Sequence, residues 1–162
     1  MLSVAEIMTA EPYTLGPDDN LAQAREMMSQ HHIRHIPIVT GDQCLVGVVS
    51  QRDVLAAADS SVLPDQPAHE AEERFVALSS IMTSPVQTVD EHASLRGTAM
   101  HLLKNRLGCL PVIRDDKLVG IITDSDFVGI AINLMEQLEQ AEGDPAEDIE
   151  AGLQDDFDSS DI

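Results

Sequence analysis

The chain reads as an α/β protein built from two copies of one strand-helix-strand-strand-helix unit, and three observations lead there. One ordered set of short segments occurs twice. Within each set the apolar spacing switches between strand and helix periods. Two strands in each set are nearly unbroken apolar runs, Leu45 to Val49 and Leu118 to Ile122 among them, the pattern of strands covered on both faces. The first set, Val4 to Leu55, holds Ile7-Met8-Thr9, Leu21, Ile36-Pro37-Ile38, Leu45 to Ser50 and Asp53. The second, Leu78 to Val128, holds Ile81-Met82-Thr83, Leu95, Leu110-Pro111-Val112, Leu118 to Thr123 and Asp126. Matching residues lie 74 apart up to the proline and 73 apart after it. The lost residue falls at Thr40 to Cys44 against Arg114 to Lys117, where a turn between strands absorbs a length change.

Tyr13-Thr14-Leu15 and Val86 to Val89 read as first short strands, ended by Gly16-Pro17-Asp18 and Asp90-Glu91. Helices follow, because Leu21, Ala24, Met27 and Met28, and then Leu95, Ala99, Leu102 and Leu103, share one face at helical spacing. Acidic residues just ahead favour both helix starts. Paired strands come next, His35 to Val39 with Cys44 to Val49 and Cys109 to Ile113 with Lys117 to Ile122, joined by turns at 40–43 and 114–116. A second helix opens after Ser50 and after Thr123. The first fades near Asp59; the other runs from about Ser125 to Gln140 with a stripe of Phe127, Ala131, Leu134, Met135 and Leu138. The organisation is therefore a repeat at 1–60, a connection at 61–77 with a helical turn over Ala68 to Val76, a repeat at 78–140, and an acidic tail at 141–162 expected to be solvated.

The 162 residues are 43% hydrophobic, ordinary for a soluble globular chain, and two units of this size are each marginal alone, so one shared core is expected. Net charge is −20, and eleven of the 29 acidic residues lie from Glu136 onward, where no Lys or Arg occurs. Such a field opposes nucleic acid or an anionic membrane as a partner. No apolar run approaches a membrane span and no signal peptide opens the chain, so the expected location is the cytoplasm. Cys44 and Cys109 do not match between copies and are expected as small buried hydrophobes at strands.

The order Ile-Met-Thr, then (Ile/Leu)-Pro-(Ile/Val), then Gly-apolar-apolar-(Ser/Thr)-x-x-Asp resembles the CBS (cystathionine beta-synthase) domain, here as a tandem pair of the kind called a Bateman module. The resemblance covers about residues 4 to 58 and 78 to 135. It implies two β-α-β-β-α units packed through their sheets in pseudo-twofold fashion, two clefts between them, and dimerisation of modules, here a homodimer. It also implies an adenosine-containing ligand, such as AMP, ADP, ATP or S-adenosylmethionine, as the regulatory partner, with no required cofactor.

The signature makes chemical sense of that ligand. Ser50 and Thr123 end buried strands at helix starts, where free N–H groups and the helix dipole favour a phosphate. Asp53 and Asp126 are spaced to accept hydrogen bonds from a ribose diol. The strand glycines let a backbone or ligand approach closely. The same Ser-x-x-Asp and Thr-x-x-Asp patterns are helix caps that need no ligand. By resemblance, Thr14 and Thr88 line the base or ribose side, Ile36, Pro37, Ile38, Leu110, Pro111 and Val112 supply an apolar wall for the base, and Arg34 and His35 reach phosphate. The second copy has Gly108 and Cys109 at that place, and Ser125 where the first has Arg52, so one stronger and one weaker phosphate site is expected.

His31, His32 and His35 lack a fourth ligand at metal spacing. No phosphate loop, dinucleotide fingerprint, nucleophile elbow or zincin motif occurs. The expected function is a non-enzymatic module that senses an adenosine ligand and acts on a separate effector protein. The competing reading is a scaffold that keeps the fold and self-association without a ligand.

Overall fold

The computed structural model describes residues 2–60 and 72–142. Its strands are β1 (Thr9–Ala10), β2 (His35–Val39), β3 (Leu45–Ser50), β4 (Val89–Asp90), β5 (Cys109–Arg114) and β6 (Lys117–Thr123); its α-helices are α1 (Leu21–His31), α2 (Gln51–Ser60), α3 (Leu95–Asn105) and α4 (Asp124–Glu142). Short 3-10 turns at Val4–Glu6 and Leu78–Ser80 open the two copies. The chain divides after Asp124 into two compact units. All six described strands belong to the first, and what is described of the second is α4 from Ser125 on.

Each sheet is completed by the other copy. One sheet runs β1-β6-β5-β4, with β5 and β6 antiparallel, β4 parallel to β5, and β1 of the first copy on the outer edge of β6 through Thr9 opposite Ile121. In the other, β2 and β3 pair antiparallel, Leu15 bridges to Ile38 on one edge and Thr83 of the second copy bridges to Val48 on the other. The exchange includes the turns before the strands. Val4 N–H donates to the Ala93 carbonyl and Leu95 N–H to the Leu2 carbonyl, while Leu78 N–H donates to the Asp19 carbonyl and Leu21 N–H to the Val76 carbonyl. These are the same bonds shifted by the repeat length, so the two copies are related by a pseudo-twofold exchange of their leading segments. Leu78 accordingly sits fully buried in one core with Leu21, Ala24, Met28, Ile36, Ile38, Val49 and Val54.

The helix starts are held by polar caps rather than by the acids ahead of them. Asn20 accepts from Gln23 N–H at 3.0 Å while Gln23 Oε1 accepts from Asn20 N–H at 2.8 Å, and Ser94 Oγ accepts from Gly97 N–H at 3.1 Å. Asp19 instead closes the preceding turn, accepting from Gly16 N–H. The hairpin turns differ as the one-residue gap requires. Asp115 and Asp116 both have positive φ, 50° and 61°, which fits the tight two-residue turn between twisted strands; the longer turn before β3 places only Gln43 there, at 61°.

Several expectations are corrected. Tyr13 to Leu15 makes a single bridge rather than a strand. Cys44 is exposed, because β3 begins one residue later and leaves it in the turn; Cys109 is half-buried, and both thiols are free. Leu103 is 81% exposed, and Thr98 takes its place on the buried face of α3 between Leu95 and Leu102. Its hydroxyl is satisfied by the Ser94 carbonyl at 3.0 Å, so the core accepts it. On α4, Leu134, Met135 and Leu138 are more than half exposed. Of the connection, Glu72 and Glu73 are helical. Residues 61–71 and the acidic tail from 143 lie outside the described residues.

Candidate functional site

The first copy's corner, where β3 meets α2, is a closed capping box. Asp53 Oδ2 accepts from both the N–H and the hydroxyl of Ser50, each at 2.7 Å, and Asp53 N–H donates back to Ser50 Oγ at 3.2 Å. Both side chains are half-buried. A cap of this kind stabilises a helix by about 1 kcal/mol. Every one of these bonds to the carboxylate converges on Oδ2, so Oδ1 is the oxygen whose geometry they leave unspecified. Arg52 is exposed on the first turn of α2, and the Arg34 carbonyl accepts from Gln51 N–H at 2.8 Å, which ties the start of β2 to the same corner.

Arg34 and His35 are not private to that corner. Arg34 Nη2 lies 3.9 Å from Asp124 Oδ1 of the second copy, with both groups more than half exposed, and His35 rests against Gly108, where an added Cβ would meet the ring nitrogen Nε2 at 2.8 Å. Burial pushes the His35 imidazole below its usual range; Asp124 and Asp53 oppose that shift, and Arg34 adds to it. Gly108 matters in the second copy because it makes room for this ring. Thr123 ends β6 half-buried, and the Asp124 N–H donates to the Gly108 carbonyl at 3.1 Å. Ser125, exposed, and Asp126, half-buried, open α4 in the second unit.

Ile36, Pro37, Ile38, Leu110, Pro111 and Val112 are each less than 2% exposed. Side chains buried to this extent are core, and a base laid against them would meet the strand edges rather than their full faces. Thr88 and Leu110 do come together, with Ser94, Thr98 and His101, around a cavity of about 250 Å³. Thr14 lines a different cavity of about 640 Å³ with Met8, Glu11, Gln43, Glu91 and Arg114, toward the hairpin end of β5 and β6 and away from the signature corners. Beside it Tyr13 stacks on His31 with ring centroids 3.7 Å apart. Among the described residues no group of three His, Cys, Asp or Glu is placed to hold a metal ion, and no helix is long and apolar enough to cross a membrane.

Sequence reasoning missed what the strand glycines admit. A Cβ at Gly47 would collide with the Met82 thioether, and one at Gly120 with that of Met8. The close approach is made by methionine, not by a ligand. The signal was present, since each Ile-Met-Thr stands near the start of its own copy at the repeat distance while each glycine sits in an otherwise apolar strand.

The model of the CBS domain matches residues 4–60 and 78–133. Among curated proteins, a CBS domain-containing protein of Dictyostelium discoideum is 28% identical over 82% of this chain and 93% of its own length. The homoserine O-acetyltransferase of Methanocorpusculum labreanum is 31% identical over 75% of this chain, which spans only 23% of that enzyme. Among solved structures, a Vibrio cholerae protein described as an acetoin utilization protein, AcuB, is 43% identical at a TM-score of 0.73, covering 90% of this chain and 99% of that one. CBSX2 in complex with AMP, and the CBS domain pair of protein MJ0100 in complex with 5-methylthioadenosine and S-adenosyl-L-methionine, are each 25% identical at a TM-score of 0.69; the first covers 83% of this chain and 99% of its own, the second 82% and 98%. Duplicated signature, exchanged leading segments and family match agree, and the chain belongs to the CBS domain family as a tandem pair.

Proposed function

We propose that the protein is a regulatory module that binds an adenosine-containing ligand, AMP, ADP, ATP or S-adenosylmethionine, and passes its occupancy to a separate protein, with no catalysis of its own. The observation that carries this reading is the Ser50–Asp53 corner: one carboxylate oxygen is held by the cap, so the helix start is fixed before any ligand arrives and the second oxygen can serve a ribose hydroxyl without unfolding the cap. AMP in CBSX2 and S-adenosyl-L-methionine in the MJ0100 pair support the ligand class. Arg34 and Arg52 supply phosphate charge on an otherwise acidic chain. Thr123 serves the second site, whose partner at the start of β5 is Gly108 and Cys109, so that site favours the less anionic ligand; Asp126, on α4, is the second copy's counterpart of Asp53. The module works in the cytoplasm as a homodimer, for which Leu55 on α2 and Met100 and Leu103 on α3 offer exposed apolar contacts.

Thermal unfolding of the full chain with each ligand tests the reading. A ligand at 100 times its dissociation constant stabilises by about 2.7 kcal/mol. Asp53→Ala is expected to remain folded and to lose the response of the first site. No shift with any of the four ligands, or an undiminished one in both Asp53→Ala and Asp126→Ala, overturns it.

A further inference from the structure

Two acidic side chains are buried among the described residues, and their pairing differs. Glu73, 5% exposed, meets Arg25 Nη2 at 2.6 Å. Glu91, 6% exposed, has no contact so close: Arg114 Nη1 stands 3.4 Å from each of its oxygens and the exposed His92 ring 3.5 Å from Oε1, whereas a formed charge-assisted bond closes to about 2.7–2.9 Å. A buried carboxylate paired this loosely leaves much of its desolvation cost uncompensated. Its backbone is nonetheless fixed, because the Glu91 N–H donates to the Ile113 carbonyl and the Glu91 carbonyl accepts from Ala5 N–H at 2.9 Å. The repeat does not require the pair. The residues 74 places earlier are Pro17 and Thr40, which fill the same positions in the first copy without charge.

Glu91 and Arg114 both line the 640 Å³ cavity that lies away from the signature corners, and Ala10, Pro12, Leu118 and Val119 give it an apolar wall. Every lining residue belongs to the first compact unit. A phosphate or other anion would set its charge against Glu91 and Glu11 on a chain of net charge −20. A metal ion lacks ligands, since no three His, Cys, Asp or Glu gather among the described residues. A plain amine would satisfy Glu91 and leave Arg114 as it is. A ligand carrying both charges serves both side chains and adds nothing to the net charge.

We propose that this cavity binds an α-amino acid with an aliphatic side chain, its ammonium on Glu91, its carboxylate on Arg114 and its side chain against Ala10, Pro12 and Leu118. One carbon separates the two charges of such a ligand, so it closes a ring of hydrogen bonds with the adjacent acid and base without parting them. The Arg114 side chain is 59% exposed and has room to turn its fork of donors onto the carboxylate. The site goes beyond the adenosine reading and does not rest on it.

Isothermal titration calorimetry on the full chain tests this with L-leucine and two analogues that each lack one charge, 4-methylpentanoate and 3-methylbutylamine. L-leucine binds, and each analogue binds at least about tenfold more weakly, the loss expected for one hydrogen-bonded charge. Glu91→Gln and Arg114→Gln, shown folded by circular dichroism, weaken L-leucine by the same order; should either fail to fold, the two analogues on the parent protein still decide. Leucine binding persists in Asp53→Ala and under saturating AMP, which separates this site from the signature corner. Absence of L-leucine binding overturns the proposal, and so does equal binding by either analogue. Loss of leucine binding in Asp53→Ala, or its displacement by AMP, overturns it too and places the amino acid at the signature corner.

Discussion

Met82 lies directly over Gly47, with its Cγ 2.8 Å from where a Cβ would stand on that glycine. Met8 lies over Gly120 in the same way. These two contacts lock the exchanged leading segments onto the partner sheets, and each is made by one copy against the other.

Gly47→Ala is therefore expected to destabilise the protein by about 1–3 kcal/mol, the usual cost of forcing an extra methyl into a packed core. Gly47→Ala combined with Met82→Ala should cost less than the sum of the two single changes, because the second removes what the first strikes. Urea unfolding of the four proteins measures the coupling. Strict additivity would detach the two residues and with them the account of the exchange.

The elements were legible in the sequence because their causes are local. Nearly unbroken apolar runs marked β3 and β6, and Asp115-Asp116 marked a tight turn. The duplication also exposed the corner that Ser50 and Asp53 cap. What was not legible is non-local: nothing near Ile7-Met8-Thr9 says that its strand partner is Ile121, more than a hundred residues away. The helix face was misjudged at α3 because hydropathy prefers Leu103 to Thr98, whereas Leu95, Thr98 and Leu102 form the actual line and a satisfied hydroxyl makes Thr98 acceptable there. At the site, residue types were readable but sharing was not. Arg34 and His35 looked like first-copy residues, and only the fold brings them to Asp124 and Gly108.

His35 links the join between the copies to pH. Burial lowers its folded-state pKa below the ordinary imidazole value of 6.5. The unfolded chain then binds the proton first as pH falls, so the contribution of His35 to stability is fully present above about 6.5 and is lost as pH drops from there through the folded value. Denaturant midpoints are expected to fall between pH 7.5 and 5. Replacing His35 by Gln should flatten that slope. A slope that persists in His35→Gln assigns the pH sensitivity elsewhere.

The two thiols should separate kinetically. Cys44 is exposed in the turn before β3, while burial pushes the Cys109 thiol up to about 12, with Asp124 adding to the shift. Thiolate is the reacting form, so a disulfide reagent at neutral pH is expected to label one cysteine quickly and the other only on unfolding. Cys44→Ser should remove the fast phase. Two fast phases would contradict the placement of Cys109 at the start of β5.

Glu73 is 5% exposed, and its Oε1 meets Arg25 Nη2 of α1 at 2.6 Å. The ion pair thereby fastens the segment leading into the second copy to the first copy's helix. Removing one member leaves the other without its partner, and the asymmetry of exposure decides which removal is worse. Arg25 is nearly half exposed and can turn to water if Glu73 is lost; Glu73 cannot. Arg25→Ala is expected to cost about 1–3 kcal/mol and Glu73→Gln less, because glutamine keeps an acceptor for the guanidinium. A joint Arg25→Met and Glu73→Leu exchange, which leaves no buried charge, should recover most of the loss. Equilibrium unfolding of these variants checks the order, and a larger loss in Glu73→Gln than in Arg25→Ala would refute it.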